Sequence, residues 1–324
     1  MKDIIEKFLL KELQGLALDR DVSEFQNLED EICRLLLSKK FRKYSASSEL
    51  IEHIRKSVAN RVANGKPIHV TFWQGGFKLW RLEEAPEVDW SELFALMYYV
   101  TWLKPVLGIY KPGVVIEFYL DDIIMERLCN YTREEILAYH RSLQAVIDFL
   151  CKYIPLNLKF VITTASSRFH DEATFWKELD SAIAIFKPAS DMVLSPDQIA
   201  TVELNYRRVK GERLGKLWRE ENRRIHDAYG EAVDIKLVNE AGLDGKILAV
   251  PYHKDFDIGL NLGSTKNSIV KYWIGVGALE PRGETFMATV LSPSQLCRAK
   301  YDVININVSG LGGKNFKKIR VLRL

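Results

Sequence analysis

The sequence lacks the features that mark membrane proteins, disulfide-stabilised proteins and zinc ribbons. No uninterrupted apolar run approaches the ~18 residues that a membrane-spanning helix needs. The four cysteines are far apart and have no metal-ligand spacing, so each is expected to be a reduced thiol. The first residues, MKDIIEK, include acids where a secretion signal carries only bases. We therefore expect a cytoplasmic protein with no membrane partner.

Common cofactor and hydrolase motifs are also missing. Lys314 follows a glycine but precedes Asn315, so there is no Walker A loop, and Gly275-Val-Gly277 lacks the third glycine of a dinucleotide fingerprint. The patterns GxSxG, HExxH and CxxC do not occur. From these absences we expect neither a metal nor a cofactor.

What is present is the composition of a folded protein with an uneven charge. The 324 residues are 47% hydrophobic and 27% charged, with a net charge of +3. A first basic segment, 206–224, has eight bases and three acids, and a second basic segment, 311–324, has five bases and no acid. Each segment is net +5, which leaves −7 for the rest of the chain. Such segments are typical either of a solvated helix face or of contacts to an anionic partner such as DNA. The candidate phosphate contacts are Arg207, Arg208, Lys210, Lys216, Lys314, Lys317 and Lys318.

The order of the predicted elements is that of an α/β protein. Residues 1–64 have helical periodicity, and 65–230 alternate strands with helices, which indicates a Rossmann-like, mostly parallel sheet with crossover helices. The strand-rich remainder, 231–324, is expected to pack on the same core. Predicted strands cover 68–73, 114–120, 158–163, 235–238, 247–250, 268–276, 285–291, 302–308 and 318–324.

Two capping boxes mark the starts of crossover helices. The two boxes are formed by Asp89 with Glu92 and by Thr132 with Glu135. In each pair the residues are three positions apart, so that each side chain can accept from the backbone N–H of the other residue. The first of these helices is predicted to bury one stripe, formed by Leu93, Phe94, Met97 and Tyr98.

Polar residues follow the first two predicted strands of the core. In open α/β sheets ligands bind beyond the carboxyl ends of the strands. After the first strand, Gly75 and Gly76 would let backbone N–H groups approach an anion, with Lys78 adding charge, although a plain glycine turn is an equal alternative. After the second strand come Asp121 and Asp122, candidates for acid–base work or for a helix cap. Because adjacent residues of a strand point to opposite faces, we expect one of the two to enter the cleft.

The third predicted strand also ends in polar residues. Ser166 and Arg168 suit a phosphate or carboxylate, although an N-cap explains the hydroxyls equally well. His253 directly follows the apolar strand at 247–250 and suits a general acid or base. His140 lies on the apolar face of a predicted helix and is expected to be a core residue, and His69 has no ligand-like spacing.

The order of these features from 65 to about 263 resembles that of the isocyanide (isonitrile) synthase family. The shared features are a strand leading to a loop with Lys78, the helix from APEVDW to IYKPG, the strand VVIEFYLDD, a helix opening NYTREEIL, and His253 after a late strand. That family builds an isonitrile from the amine of an amino acid and a pentulose phosphate. The resemblance implies a Rossmann-like fold with Lys78, Asp121 or Asp122, and His253 around a phosphosugar.

Three functions therefore stay open. The first is an enzyme that acts at a sugar or phosphosugar centre, a lyase or transferase with Lys78 as anion anchor or nucleophile, an aspartate as acid–base group and His253 as proton shuttle. The second is a hydrolase of the DNA glycosylase type that removes a modified base and grips DNA through the basic segments. The third is an interaction protein with a vestigial site.

Overall fold

The protein is described by a computed structural model that covers 1–18, 27–42, 45–74, 87–120, 122, 131–164, 166–168, 171–185, 245–249, 258–260, 275–291 and 293–323. The helices within these ranges are α1 (Lys2–Gln14), α2 (Leu28–Leu36), α3 (Ser48–Ala63), α4 (Trp90–Ile109), α5 (Arg133–Leu150), α6 (Glu172–Ile185) and α7 (Pro293–Arg298). The strands are β1 (Ile68–Gln74), β2 (Val114–Leu120), β3 (Leu158–Thr164), β4 (Ile247–Leu248), β5 (Val276–Arg282), β6 (Thr285–Leu291), β7 (Tyr301–Asn305) and β8 (Lys318–Leu322).

The first sheet is parallel throughout and confirms the predicted α/β fold. Its strand order is β3-β2-β1-β4. The chain steps from β1 to β2 to β3 in one direction, and β4 pairs with β1 on the other side. The carboxyl ends of all four strands therefore lie at one edge of the sheet.

The two faces of this sheet differ in chemistry. On one face Phe72 and Phe118 pack against Tyr99 of α4, with ring centroids 4.1 Å and 6.4 Å from the tyrosine ring. We call this the helix-covered face. The other face, called the polar face below, is formed by side chains of opposite parity: His69, Thr71, Val115, Glu117, Tyr119, Lys159, Val161, Thr163 and Leu248. A parallel sheet normally has apolar residues on both faces, so the polar face points to a function.

Helix α4 is more deeply buried than its predicted stripe. Its capping box is present, but 14 of its 20 residues are buried. The helix contacts the first sheet through β2, the second sheet through β5 and β6, and α2. The prediction of a single apolar stripe was wrong because the helix has neighbours on several sides.

The second sheet has the order β6-β5-β8-β7 and is mixed, with only the β5–β8 pair parallel. Its strand β5 spans Val276–Arg282, whereas the sequence predicts a strand over 268–276, most of which lies outside the described residues. The position of β5 depends on Gly277. A Cβ at this position would lie 2.4 Å from the Trp90 Cβ and 2.5 Å from the Ser91 backbone nitrogen, so only glycine lets β5 approach the start of α4.

One cluster of buried side chains includes residues of both sheets and of the N-terminal helices. The predicted helical character of 1–64 is confirmed by α1, α2 and α3. The division into 1–64, 65–230 and 231–324 stays a prediction. Among the described residues, no helix combines the length and apolar character needed to cross a membrane.

Candidate functional site

Two of the three polar strand ends meet at the carboxyl edge of the first sheet. Leu120 of β2 is in register with Thr164 of β3, so the residues that follow them are neighbours. Asp122 is 4% exposed and accepts hydrogen bonds from the backbone N–H of Ser166, at 3.1 Å, and from its hydroxyl. The Thr164 hydroxyl lies 3.2 Å from the Ser166 hydroxyl. A buried carboxylate thus lies at the edge where α/β sheets bind ligands, and two donors of Ser166 hold it in place.

His140 of α5 lies near Asp122, which the sequence did not indicate. Burial lowers the pKa of His140 below its ordinary value, and the negative charge of Asp122 opposes that shift. A carboxylate and an imidazole therefore lie near each other, and such a pair is suited to proton transfer. A helix that follows a strand of a parallel sheet starts at the carboxyl edge of that sheet. Because α5 follows β2, this rule could have identified His140.

The lowered pKa of His140 makes the stability of the folded chain depend on pH. Because its folded-state pKa is lowered, the unfolded chain takes up the proton first as the pH falls below the ordinary histidine value of about 6.5. The stabilisation by neutral His140 is present above that pH and is lost as the pH falls through the folded-state pKa. Below pH 6.5 we expect the urea midpoint of His140→Gln to fall less steeply with falling pH than that of the wild type. One proton can change the free energy of unfolding by at most about 1.4 kcal/mol per pH unit. An unchanged decline in the variant would contradict this assignment.

A second polar group lies on the polar face of the same sheet, around Glu117 in the middle of β2. Glu117 is 3% exposed. Its Oε2 lies 3.0 Å from His69 Nε2 and 3.3 Å from Lys246 Nζ. The Thr71 hydroxyl donates to Oε2 at 3.1 Å, and the Thr163 hydroxyl donates to Oε1 at 2.7 Å. We call these five residues the Glu117 cluster.

The Glu117 cluster draws on three strands and on the residue before β4, so local sequence patterns did not reveal it. The sequence does contain a clue, because Glu117 interrupts an otherwise apolar strand that is central to a parallel sheet. A buried carboxylate requires partners, and a search for polar residues on neighbouring strands would have found His69, Thr71 and Thr163. His69 was thus undervalued when it was judged by its spacing alone.

Most of the other predicted site residues lie outside the described residues. These are Gly75, Gly76, Lys78, Asp121 and His253, together with Arg207, Arg208, Lys210 and Lys216 of the first basic segment. The backbone of Arg168 closes a short 3-10 turn, Ser166–Arg168, after β3. In the part of the chain that the structure describes, no three His, Cys, Asp or Glu side chains form a possible metal site.

The second basic segment is built into the second sheet. Lys314 and Lys317 are exposed, and Lys318 is half-buried in β8. The charge of this segment is partly balanced, because Arg323 pairs with Asp302. Arg320 lies over the Tyr301 ring at 5.7 Å. The DNA-binding interpretation stays a prediction.

Comparison with known proteins shows a solved structure that has a similar fold. No family model and no curated protein sequence matches the chain. A crystal structure of the PvcA protein from Pseudomonas aeruginosa is similar over 92% of this chain and 100% of that chain, with 15% identity and a TM-score of 0.61. Tyrosyl-tRNA synthetase from Pyrococcus horikoshii (11% identity, 66% of this chain and 54% of that one, TM-score 0.29) and a tryptophanyl-tRNA synthetase homolog from Entamoeba histolytica (9%, 69% and 59%, 0.27) match more weakly. The chain therefore shares the α/β fold of PvcA across nearly its whole length.

Proposed function

We propose that this chain is an enzyme that acts at a sugar or phosphosugar centre, with Asp122 as its acid–base group. The observation that carries the proposal is the buried Asp122 carboxylate, held by Ser166 at the carboxyl edge of a parallel sheet and near His140. A carboxylate near a histidine can take a proton from a substrate hydroxyl or return it to a leaving group.

The strand order supports ligand binding at the same edge of the sheet, although at a neighbouring point. The order of strands reverses between β1 and β4, and open α/β sheets bind ligands at such a switch point, whereas Asp122 and Ser166 follow β2 and β3. Lys78 comes four residues after the end of β1 in the sequence, and His253 comes five residues after the end of β4. The proposal assigns Lys78 to anion binding and His253 to proton transfer. The resemblance to isocyanide synthases suggests a pentulose phosphate as substrate and the amine of an amino acid as second reactant.

The proposal predicts a large loss of turnover in Asp122→Asn. The amide oxygen of asparagine can still accept from Ser166, so the fold is expected to persist while proton transfer fails. We expect the rate to fall at least about 100-fold. The measurement is the loss of pentose and pentulose phosphates, with and without amino acids, followed by phosphorus NMR.

The matched control is Asp148→Asn, which changes an exposed aspartate of α5 that accepts from Gln144 at 2.8 Å. It is expected to retain full turnover. A folded Asp122→Asn variant with the wild-type rate would refute the acid–base assignment. A wild-type chain that consumes none of these sugar phosphates would refute the substrate class.

A further inference from the structure

A row of basic side chains crosses the polar face of the first sheet. Lys159 is in register with Val115, and Val115 with His69. Lys246 directly precedes Ile247, which pairs with Val70, so Lys246 lies beside His69 on the neighbouring strand. With strands about 4.8 Å apart, the row spans roughly 15 Å.

The described residues of this face carry a positive net charge. Among the described residues of the polar face, Glu117 is the single acid, against the two lysines of the row. The balance is therefore positive even when His69 is neutral. An anion near this row would be attracted by its lysines.

In the Glu117 cluster the basic side chains are more exposed than the carboxylate, as an anion site requires. The Glu117 side chain is 4% exposed, whereas the side chains of Lys246 and His69 are 13% and 20% exposed. The two donors are thus more accessible to solvent than the carboxylate that they contact. Val161, which is in register with Glu117, is 42% exposed, so the β3 side of the face is open.

Lys246 is held in place from two directions. Its Nζ bonds Glu117, and its backbone carbonyl accepts from His53 Nε2 of α3 at 3.0 Å. The preceding residue, Gly245, has a φ of +63°, a conformation that favours glycine and turns the chain into β4. A donor fixed in advance loses less entropy when it binds a ligand.

We propose that the polar face binds a phosphate-type oxyanion through Lys246 and His69, with Lys159 adding longer-range attraction. Donors that come from different strands suit a tetrahedral group with several acceptor oxygens. This inference does not depend on the proposed function, because Asp122 and its partner Ser166 belong to the sheet edge rather than to the polar face.

The test is the binding of inorganic phosphate to the full chain at low salt, measured by phosphorus NMR titration. We expect Lys246→Met to weaken binding about tenfold, since one charge-assisted hydrogen bond is lost. His69→Gln and Lys159→Met are each expected to weaken it severalfold. Lys159 is exposed, so its variant is expected to fold even if Lys246→Met does not.

The matched control is Lys56→Met. Lys56 pairs with Glu52 at 3.4 Å, like Lys246 with Glu117, but both residues are exposed on α3. This variant should bind phosphate like the wild type. Competition by sulfate but not by acetate would support the tetrahedral class. The inference fails if phosphate does not bind the wild-type chain, if Lys159→Met and Lys246→Met bind it unchanged, or if acetate competes equally.

Discussion

Replacing Gly113 by alanine is expected to lower the free energy of unfolding by about 4 kcal/mol, the sum of backbone strain and a steric overlap. Gly113 has a φ of +77°, in the left-handed region that side chains disfavour. A Cβ there would also lie 1.8 Å from the Asn157 carbonyl oxygen. One of the two groups would have to move.

Movement at this point breaks hydrogen bonds between strands. The Asn157 carbonyl accepts from Val114 N at 2.9 Å, and the Gly113 carbonyl accepts from Ile68 N at 2.9 Å. The Asn157 side chain donates to Leu107 O at 2.9 Å and to Tyr110 O at 3.2 Å. The junction therefore joins the starts of β1, β2 and β3 and cannot relax without losing bonds.

Urea unfolding followed by circular dichroism measures the effect. Two alanine variants separate its causes. Gly283 has a φ of +61°, but a Cβ added there would have no neighbour within 4 Å, so Gly283→Ala should cost only about 1 kcal/mol of strain. Gly277→Ala should show the steric part alone, because Gly277 is not in the left-handed region but a Cβ there would lie 2.4 Å from the Trp90 Cβ and 2.5 Å from the Ser91 backbone nitrogen. If Gly113→Ala were no more destabilising than Gly283→Ala, the assigned overlap would be wrong.

Replacing Asp89 by alanine is expected to lower the free energy of unfolding by about 3 kcal/mol. Asp89 is 1% exposed. Its Oδ1 accepts from Ser91 N at 3.0 Å and from Ser91 Oγ at 2.7 Å, while Oδ2 accepts from Gly277 N at 3.0 Å. The variant leaves buried donors of α4 and β5 without this acceptor, and unsatisfied buried donors are costly.

The second capping box provides the control for Asp89→Ala. Thr132 Oγ1 accepts from Glu135 N at 3.2 Å, and Glu135 Oε2 accepts from Thr132 N at 2.9 Å, both at an exposed site. Thr132→Ala removes a cap whose hydrogen bonds do not reach a strand. We therefore expect the free energy of unfolding to fall by about 1 kcal/mol. The same urea experiment compares the two variants. Equal losses would show that the Asp89–Gly277 bond contributes nothing beyond capping.

Local patterns in the sequence were sufficient for the elements of the first sheet. Both capping boxes start helices at the predicted residues, because a cap involves side chains only three positions apart. The strand predicted at 114–120 is found at Val114–Leu120, since its apolar run is bounded by the Gly113 turn. The strand β5 was not predicted, because its position depends on the close approach of Gly277 to α4, a contact between residues far apart in the chain.

The same division holds for the candidate site. The order of strands and helices could be derived from local patterns, and with it the expectation that polar residues collect at the strand ends. The meeting of Asp122 with Ser166, and of Glu117 with His69 and Lys246, became visible only in the folded chain. The physical reason is that periodicity and caps act within a few residues, whereas contacts across a sheet are set by strand order and register.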